Sequence, residues 1–233
     1  MSVGKRIYLK RNLPDAELLK EFEKIPASNV ADCMERICAM NPRIKLISSP
    51  KKEIVAAPAY TVKVRGGDNL ALHAALTFCG EGDMIVVSNE EESNRALIGE
   101  VMMTFLKYEK KVAGIIIDGP IRDIGELSGW DFPIYCTGST PAGPFKNGPG
   151  EINVPIACGG ISVNPGDIIL ADADGVIVIP LKDAKDILPA AKEYMKKDSA
   201  KVIAAKEGRA NRAWVERELT DKNFEIIDDI YRG

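Results

Sequence analysis

Hydrophobic and polar positions divide the chain into three regions. Up to about Asn41 the spacing is helical. Ala16, Leu18, Leu19, Phe22 and Ile25 follow Pro14-Asp15 at intervals of three and four, which predicts an amphipathic helix. Ser28-Asn29 offers capping side chains for a second helix carrying Val30, Cys33, Met34 and Ile37. From about Ile44 to Pro180, short apolar runs alternate with turn residues. The predicted strands are Glu53–Ala57, Tyr60–Arg65, Met84–Ser88, Val112–Asp118, Ile134–Thr137, Ile152–Cys158, Asp167–Ala171 and Gly175–Ile179.

Helical patterns interrupt these strands only at Asn69–Cys79 and at about Arg95–Lys107. Such an order predicts an α/β core with helices on a sheet. Glycine and proline in GSTPAGPFKNGPGE, after Cys136, predict a long surface loop. The last region, Leu181 to Leu219, is helical and mixes ten Lys/Arg with seven Asp/Glu. That charge reads as a solvated face. Ala190, Ala191, Tyr194, Met195, Val202 and Ile203 form a stripe that must find an apolar surface, and a neighbouring subunit is one candidate. The expected organisation is a single domain over 1–233, with a helical segment at 1–43, a β/α core at 44–180 and a helical extension at 181–233.

Composition narrows the chemistry. Thirty-one basic and thirty-four acidic residues give a net charge of −3, against a nucleic-acid binder with a strongly basic surface. No apolar run approaches the roughly 18 residues of a membrane span, so neither nucleic acid nor membrane is an expected partner. Five scattered cysteines without a C-x-x-C pair predict reduced thiols and a cytoplasmic location. His73 is the single histidine. A two-histidine catalytic scheme is thereby excluded, and a bound metal must be held mainly by oxygen. His73 itself, among Leu72, Ala74 and Leu76, reads as partly packed rather than catalytic.

The strongest local signal runs from Val112 to Leu127. A strand leads into Asp118-Gly119-Pro120, a turn into a short helix, on which Arg122, Asp123 and Glu126 fall at about 0°, 100° and 40° around the axis. One cation and two carboxylates on one face suit an oxygen-ligand Mg²⁺ site beside an anion-binding arginine. The alternative is structural: Asp118 caps the helix, and Arg122 with Glu126 is an ordinary i,i+4 pair.

Other signals are weaker. Gly66-Gly67-Asp68-Asn69, between a strand and a helix, offers either exposed backbone N–H groups or a plain N-cap. Leu97-Ile98-Gly99-Glu100 marks a close approach, and Lys146 in the long loop is a cation within reach of an anionic ligand. Asp172-Ala173-Asp174-Gly175 lacks the glutamate of a calcium loop and reads as a hairpin turn.

These pieces, in this order, resemble the RraA-like superfamily and, within it, the class II pyruvate aldolases acting on 4-hydroxy-4-methyl-2-oxoglutarate and 4-carboxy-4-hydroxy-2-oxoadipate. The resemblance rests on GGDNLALHAAL (66–76), IGE (98–100), GIIIDGPIRDIGEL (114–127), KNGPGEINVPIACGG (146–160) and VNPGDIILADADGVIVIP (163–180). It implies a β/β/α swivelling-domain sandwich, with helical extensions at both ends here, assembled as homotrimers or homohexamers with sites between subunits.

The implied activity is a divalent-metal-dependent lyase that cleaves a 4-hydroxy-2-oxo acid to pyruvate and also decarboxylates oxaloacetate. In that picture Arg122 and Asp123 are catalytic, and Asp123 with Glu126 holds Mg²⁺ or Mn²⁺. Arg122, Asn69, Gly99, Glu100 and Lys146 bind the anionic oxo-acid substrate, the backbone near Gly99 taking its carboxylate. A neighbouring subunit adds an acidic group, for which Glu35 is only a candidate. The superfamily's namesake instead inhibits a ribonuclease by protein contact, and other relatives act on different oxo or hydroxy acids. The chain after Pro180 and the retained Arg122/Asp123/Glu126 cluster favour the enzyme.

Overall fold

The computed structural model describes residues 3–233. In chain order the elements are α1 (Ala16–Phe22), α2 (Ala27–Cys33), β1 (Lys45–Leu46), β2 (Val55–Val64), α3 (Leu70–Phe78), β3 (Met84–Ser88) and α4 (Glu100–Thr104), which continues as a π-helical segment over Phe105–Lys110. Then follow β4 (Gly114–Ile117), β5 (Pro120–Ile121), α5 (Ile124–Leu127), β6 (Ile134–Cys136), β7 (Gly138–Ser139), β8 (Gly150–Ile152), β9 (Ile156–Cys158), β10 (Ile161–Val163), β11 (Ile168–Asp172), β12 (Gly175–Ile179), α6 (Ala184–Lys206) and α7 (Ala213–Asp221). They fall into two compact units, the first running to Met195 and the second comprising Lys196–Gly233.

The first unit is built on a curled sheet of order β1-β6-β4-β3-β2-β11-β12, with β8 also paired to β2. β2, β3, β4 and β6 run parallel, and β1, β8, β11 and β12 are antiparallel to their neighbours. Parallel neighbours need crossovers, which α3 and α4 supply.

Both faces of the sheet are buried, which explains why its strands read as unbroken apolar runs. Along β2, Val55, Ala57 and Ala59 join the inner core with Met84, Val86, Ile116, Tyr135, Ile169 and Val178. The alternate residues Tyr60, Val62 and Val64 face outward, where Ile85, Val87, Ile115 and Ile117 meet Leu72 and Leu76 of α3. Further along the outer face, Ile168, Leu170, Ile177 and Ile179 bury Phe22, Val30 and Ala191 from α1, α2 and α6. A strict two-residue period therefore serves three clusters at once.

Several boundaries differ from the pattern-based expectation. The two strands expected at Glu53–Ala57 and Tyr60–Arg65 are one strand, β2. It pairs with β11 up to Pro58 and with β3 from Ala59, so the missing proline N–H falls where one partner hands over to the next. The strand expected at Ile152–Cys158 is two, because Asn153 takes a left-handed φ of 53°. The helix expected from Arg95 begins only at Glu100. Ala96, Leu97 and Ile98 are buried outside any helix or strand, with Ala96 N donating to Ala142 O (2.8 Å), Leu97 N to Pro120 O (3.1 Å) and Arg122 N to Ile98 O (3.0 Å).

Helix α2 starts at Ala27 and not after Ser28-Asn29. Its amide at Ala27 is capped from a distance by the carboxylate of Asp172 (2.9 Å), which also accepts from Asp174 N (2.9 Å) within the β11–β12 hairpin turn. The DADG segment is thus the turn its spacing suggested.

The second unit comprises the end of α6 and the amphipathic helix α7, in which no residue is buried. Trp214, Phe224, Ile226, Ile227, Ile230 and Tyr231 are exposed there. Among the described residues no helix is long and apolar enough to cross a membrane.

Candidate functional site

A cavity of about 440 Å³ opens where α3, the segment 96–98, the start of α4 and the 143–146 loop converge. Asn69, His73, Gly99, Arg122 and Lys146 line it, together with Leu97, Ile98, Val101, Met102, Gly143 and Pro144. Four residues singled out from sequence, Asn69, Gly99, Arg122 and Lys146, thus meet around one cavity. Glu100, Asp123 and Glu126 are exposed and do not line it.

Arg122 and Asp123 arrive by a route the helical wheel missed. Arg122 follows the two-residue strand β5 and precedes α5, so it is not helical. Asp123 takes a left-handed conformation, φ 63° and ψ 30°, just before α5. Aspartate tolerates that region better than most residues. The tight reversal swings its carboxylate back, so that Oδ2 lies 3.5 Å from Arg122 Nε and accepts the Glu100 amide at 2.9 Å. The alternative, an Arg122–Glu126 ion pair, does not form among the described residues. Glu126 Oε1 instead accepts from Trp130 Nε1 at 3.3 Å. Likewise Asp118 caps no helix: buried, it accepts from Arg43 and from Gly159 N (2.8 Å), tying β4 to the β9–β10 turn.

Gly99 is required by this arrangement. A Cβ there would strike Asp123 Oδ2 and lie 2.8 Å from Arg122 Cγ and 2.9 Å from Nε. Its backbone is extended (φ −142°), a region open to any residue, so the requirement is one of space. The amide after it is committed to Asp123.

The opposite wall is held by Asp68, which sequence reading treated as a simple cap. It is fully buried. Its Oδ1 accepts Leu70 N (2.9 Å) and its Oδ2 accepts Asn147 N (2.7 Å) and Gly148 N (2.9 Å), so one carboxylate joins the start of α3 to the loop carrying Lys146. Burial alone would raise its pKa, yet three backbone donors and Arg65 at 3.5 Å outweigh it and hold the group below the ordinary aspartate value. Phe145 is pinned by backbone bonds to Gly67 and Asn69 (2.8 and 2.9 Å) and lies under the Arg95 guanidinium, 3.9 Å from the ring centre.

His73 is the cavity residue the sequence reading undervalued. Burial first, then the Lys146 ammonium, push its imidazole below the usual histidine range, so it is neutral near pH 7. Nothing in a lone histidine between leucines signals a cavity wall. The one available cue is its i,i+4 spacing from Asn69.

No group of three His, Cys, Asp or Glu able to hold a metal ion occurs among the described residues. Among the described residues Asp123 is the acidic side chain that pairs with Arg122, whose own side chain lines the cavity. A half-exposed carboxylate of this kind suits Mg²⁺, which keeps several waters and binds through one or two carboxylates plus ligand oxygens.

Comparison with known proteins identifies the family of the chain. The RraA-like family model (Aldolase/RraA) matches residues 27–178. A relative from Halalkalibacterium halodurans, named "Putative 4-hydroxy-4-methyl-2-oxoglutarate aldolase", is 36% identical over 204 residues, 87% of this chain and 96% of its own length. The structure of Streptomyces coelicolor RraAS2, described as an unusual member of the RNase ES inhibitor RraA protein family, aligns with a TM-score of 0.73. It is 26% identical and covers 82% of this chain and 98% of its own. An uncharacterised Pseudomonas syringae protein shares the fold at a TM-score of 0.72 and 21% identity, over 85% of this chain and 96% of its own.

Proposed function

The chain belongs to the RraA-like family, and on that premise we propose that it is a divalent-metal-dependent lyase that cleaves a 4-hydroxy-2-oxo acid to release pyruvate. The observation that carries this reading is that Arg122, paired with Asp123 at 3.5 Å, lines a cavity together with Lys146 and Asn69. The name of the 36% identical relative supports the same reaction class.

The chemistry follows from where charge develops. Retro-aldol cleavage removes the proton of the 4-hydroxyl and breaks the C3–C4 bond. Its electron pair passes into the pyruvyl half, and negative charge accumulates on the 2-oxo oxygen. Arg122, with N–H donors at the cavity wall, stabilises that charge more than it stabilises the neutral carbonyl, which is the condition for rate enhancement. A divalent ion held by Asp123 would supply further positive charge to the 2-oxo and carboxylate oxygens. Lys146 draws anionic substrate into a protein of net charge −3. Decarboxylation of oxaloacetate develops the same charge on the same oxygen, so we propose that activity as well. A homotrimer or homohexamer would add acidic groups from a second chain, which fits the sparse ligand set of one chain.

The test is pyruvate release from 4-hydroxy-4-methyl-2-oxoglutarate and from oxaloacetate, with Mg²⁺ and with EDTA. Metal-dependent release is expected from both; its absence from both contradicts the proposal.

A further inference from the structure

Three residues that line the cavity, Gly143, Pro144 and Lys146, come from the loop between β7 and β8. Pro144 has no N–H, and backbone bonds anchor this loop on either side of it. Ala142 O accepts from Ala96 N (2.8 Å), and Phe145 N donates to Gly67 O (2.8 Å). A side chain from outside the cavity reaches the stretch in between. Arg95 Nη1 donates to Gly143 O at 2.8 Å, and its guanidinium carbon lies 3.9 Å from the centre of the Phe145 ring. One planar group thus touches the residues before and after Pro144, through a charged hydrogen bond on one and a cation–π contact on the other.

Arg95 is itself held in place. Its neighbour Ala96 is bonded to the same loop, and Gly67 leaves room for its chain: a Cβ at position 67 would lie 3.0 Å from Arg95 Cδ and 3.4 Å from Arg95 Cβ. The side chain is half-buried and does not line the cavity, so it acts only through what it holds. Lys146 follows Phe145 directly. Arg122, by contrast, is tied to another segment, its N donating to Ile98 O at 3.0 Å.

We propose that Arg95 is a positioning residue, which fixes the 143–146 loop and through it the place of Lys146 at the cavity. A guanidinium suits this task because its plane stacks on a ring while its fork donates; an ammonium keeps the charge but not that combination. The consequence lies in binding. Lys146 attracts an anionic substrate before and after charge shifts within it, so a displaced loop weakens ground state and transition state alike. That raises KM and leaves kcat near its wild-type value. The kinetic side of this inference rests on the lyase reading; the holding of the loop does not.

The experiment uses the full chain as wild type, Arg95→Met, Arg95→Lys, Lys146→Ala and the Arg95→Met/Lys146→Ala double variant. Methionine keeps an unbranched chain and removes charge and donors. Hydrogen–deuterium exchange, read by mass spectrometry without ligand, should be about tenfold faster over residues 140–149 in Arg95→Met and unchanged over β3. In pyruvate release from oxaloacetate with Mg²⁺, KM should rise about tenfold in Arg95→Met with kcat within about threefold, and recover in part in Arg95→Lys. Added to Lys146→Ala, the Arg95→Met change should raise KM by less than about twofold, because the group it positions is gone.

Unchanged exchange in the loop overturns the proposal. So does faster exchange with an unaltered KM, or a rise in KM that persists in full without Lys146. Should Arg95→Met fail to fold, Phe145→Leu, which removes only the stacked ring, replaces it with the same expected directions. If the wild type releases no pyruvate, the lyase reading fails on its own, and the exchange rates alone decide whether Arg95 holds the loop.

Discussion

Replacing Gly99 by alanine separates the geometry of the Arg122–Asp123 pair from the stability of the fold. A Cβ at position 99 strikes the Asp123 carboxylate and lies 2.8 Å from Arg122 Cγ, where carbon atoms normally rest about 3.5–4 Å apart. Both side chains are half-exposed, at 50% and 40%, so they can retreat without disturbing the core. Retreat by roughly 1 Å removes the bond from Glu100 N to Asp123, worth about 1 kcal/mol at this exposure. In a unit of this size that lowers Tm by about 2–4 °C. Displacement of reacting groups by about 1 Å can cost roughly 100-fold in rate. Gly99→Ala is thus expected to unfold within a few degrees of wild type while pyruvate release from oxaloacetate falls about 100-fold. Thermal unfolding followed by circular dichroism and a coupled pyruvate assay measure the two quantities. Wild-type turnover in Gly99→Ala would show that the position of this pair does not matter to the reaction.

Two further outcomes follow from buried groups. Asp68 has a depressed pKa, so its contribution is complete above the unfolded value of about 3.9 and is lost as pH falls through the lower folded value. Asp68→Ala should cost about 2–4 kcal/mol in urea unfolding at pH 7 and raise KM more than it lowers kcat, because the Lys146 loop is released. The cost should shrink below about pH 4, and a pH-independent difference would refute the linkage. Among the five cysteines, burial pushes Cys79 and Cys136 up to about 11 and raises Cys38 and Cys158 as well. Only Cys33 is half-buried. A thiol reagent at pH 8 should therefore find about one accessible thiol in the native protein and all five after unfolding; several fast native equivalents would contradict the burial.

Much of this architecture is legible in the sequence, and the exceptions share a cause. Met84–Ser88, Gly175–Ile179 and the helix after Asn69 stand out because composition, period and turn residues agree. Ala96-Leu97-Ile98 reads as helix since a short apolar run has no period of its own; its backbone partners, Pro120 and Ala142, lie far away in sequence. Arg122 and Asp123 were found, but through a helical face that does not exist. A left-handed aspartate brings them together, and local spacing carries no sign of it. Asp68 and His73 were read down to a cap and a packed side chain because their partners, the 146–148 loop and the cavity, are defined only by tertiary structure.

A cavity at Arg122 that stabilises negative charge on a pyruvyl unit should also loosen the methyl protons of pyruvate itself. Exchange of the pyruvate methyl protons in D₂O, followed by ¹H NMR, tests this without knowledge of the physiological substrate. Wild-type protein with Mg²⁺ should erase the methyl signal, and EDTA or Arg122→Ala should slow that loss by at least about 100-fold. Exchange that proceeds equally well in Arg122→Ala, or none in the wild type, would contradict the account.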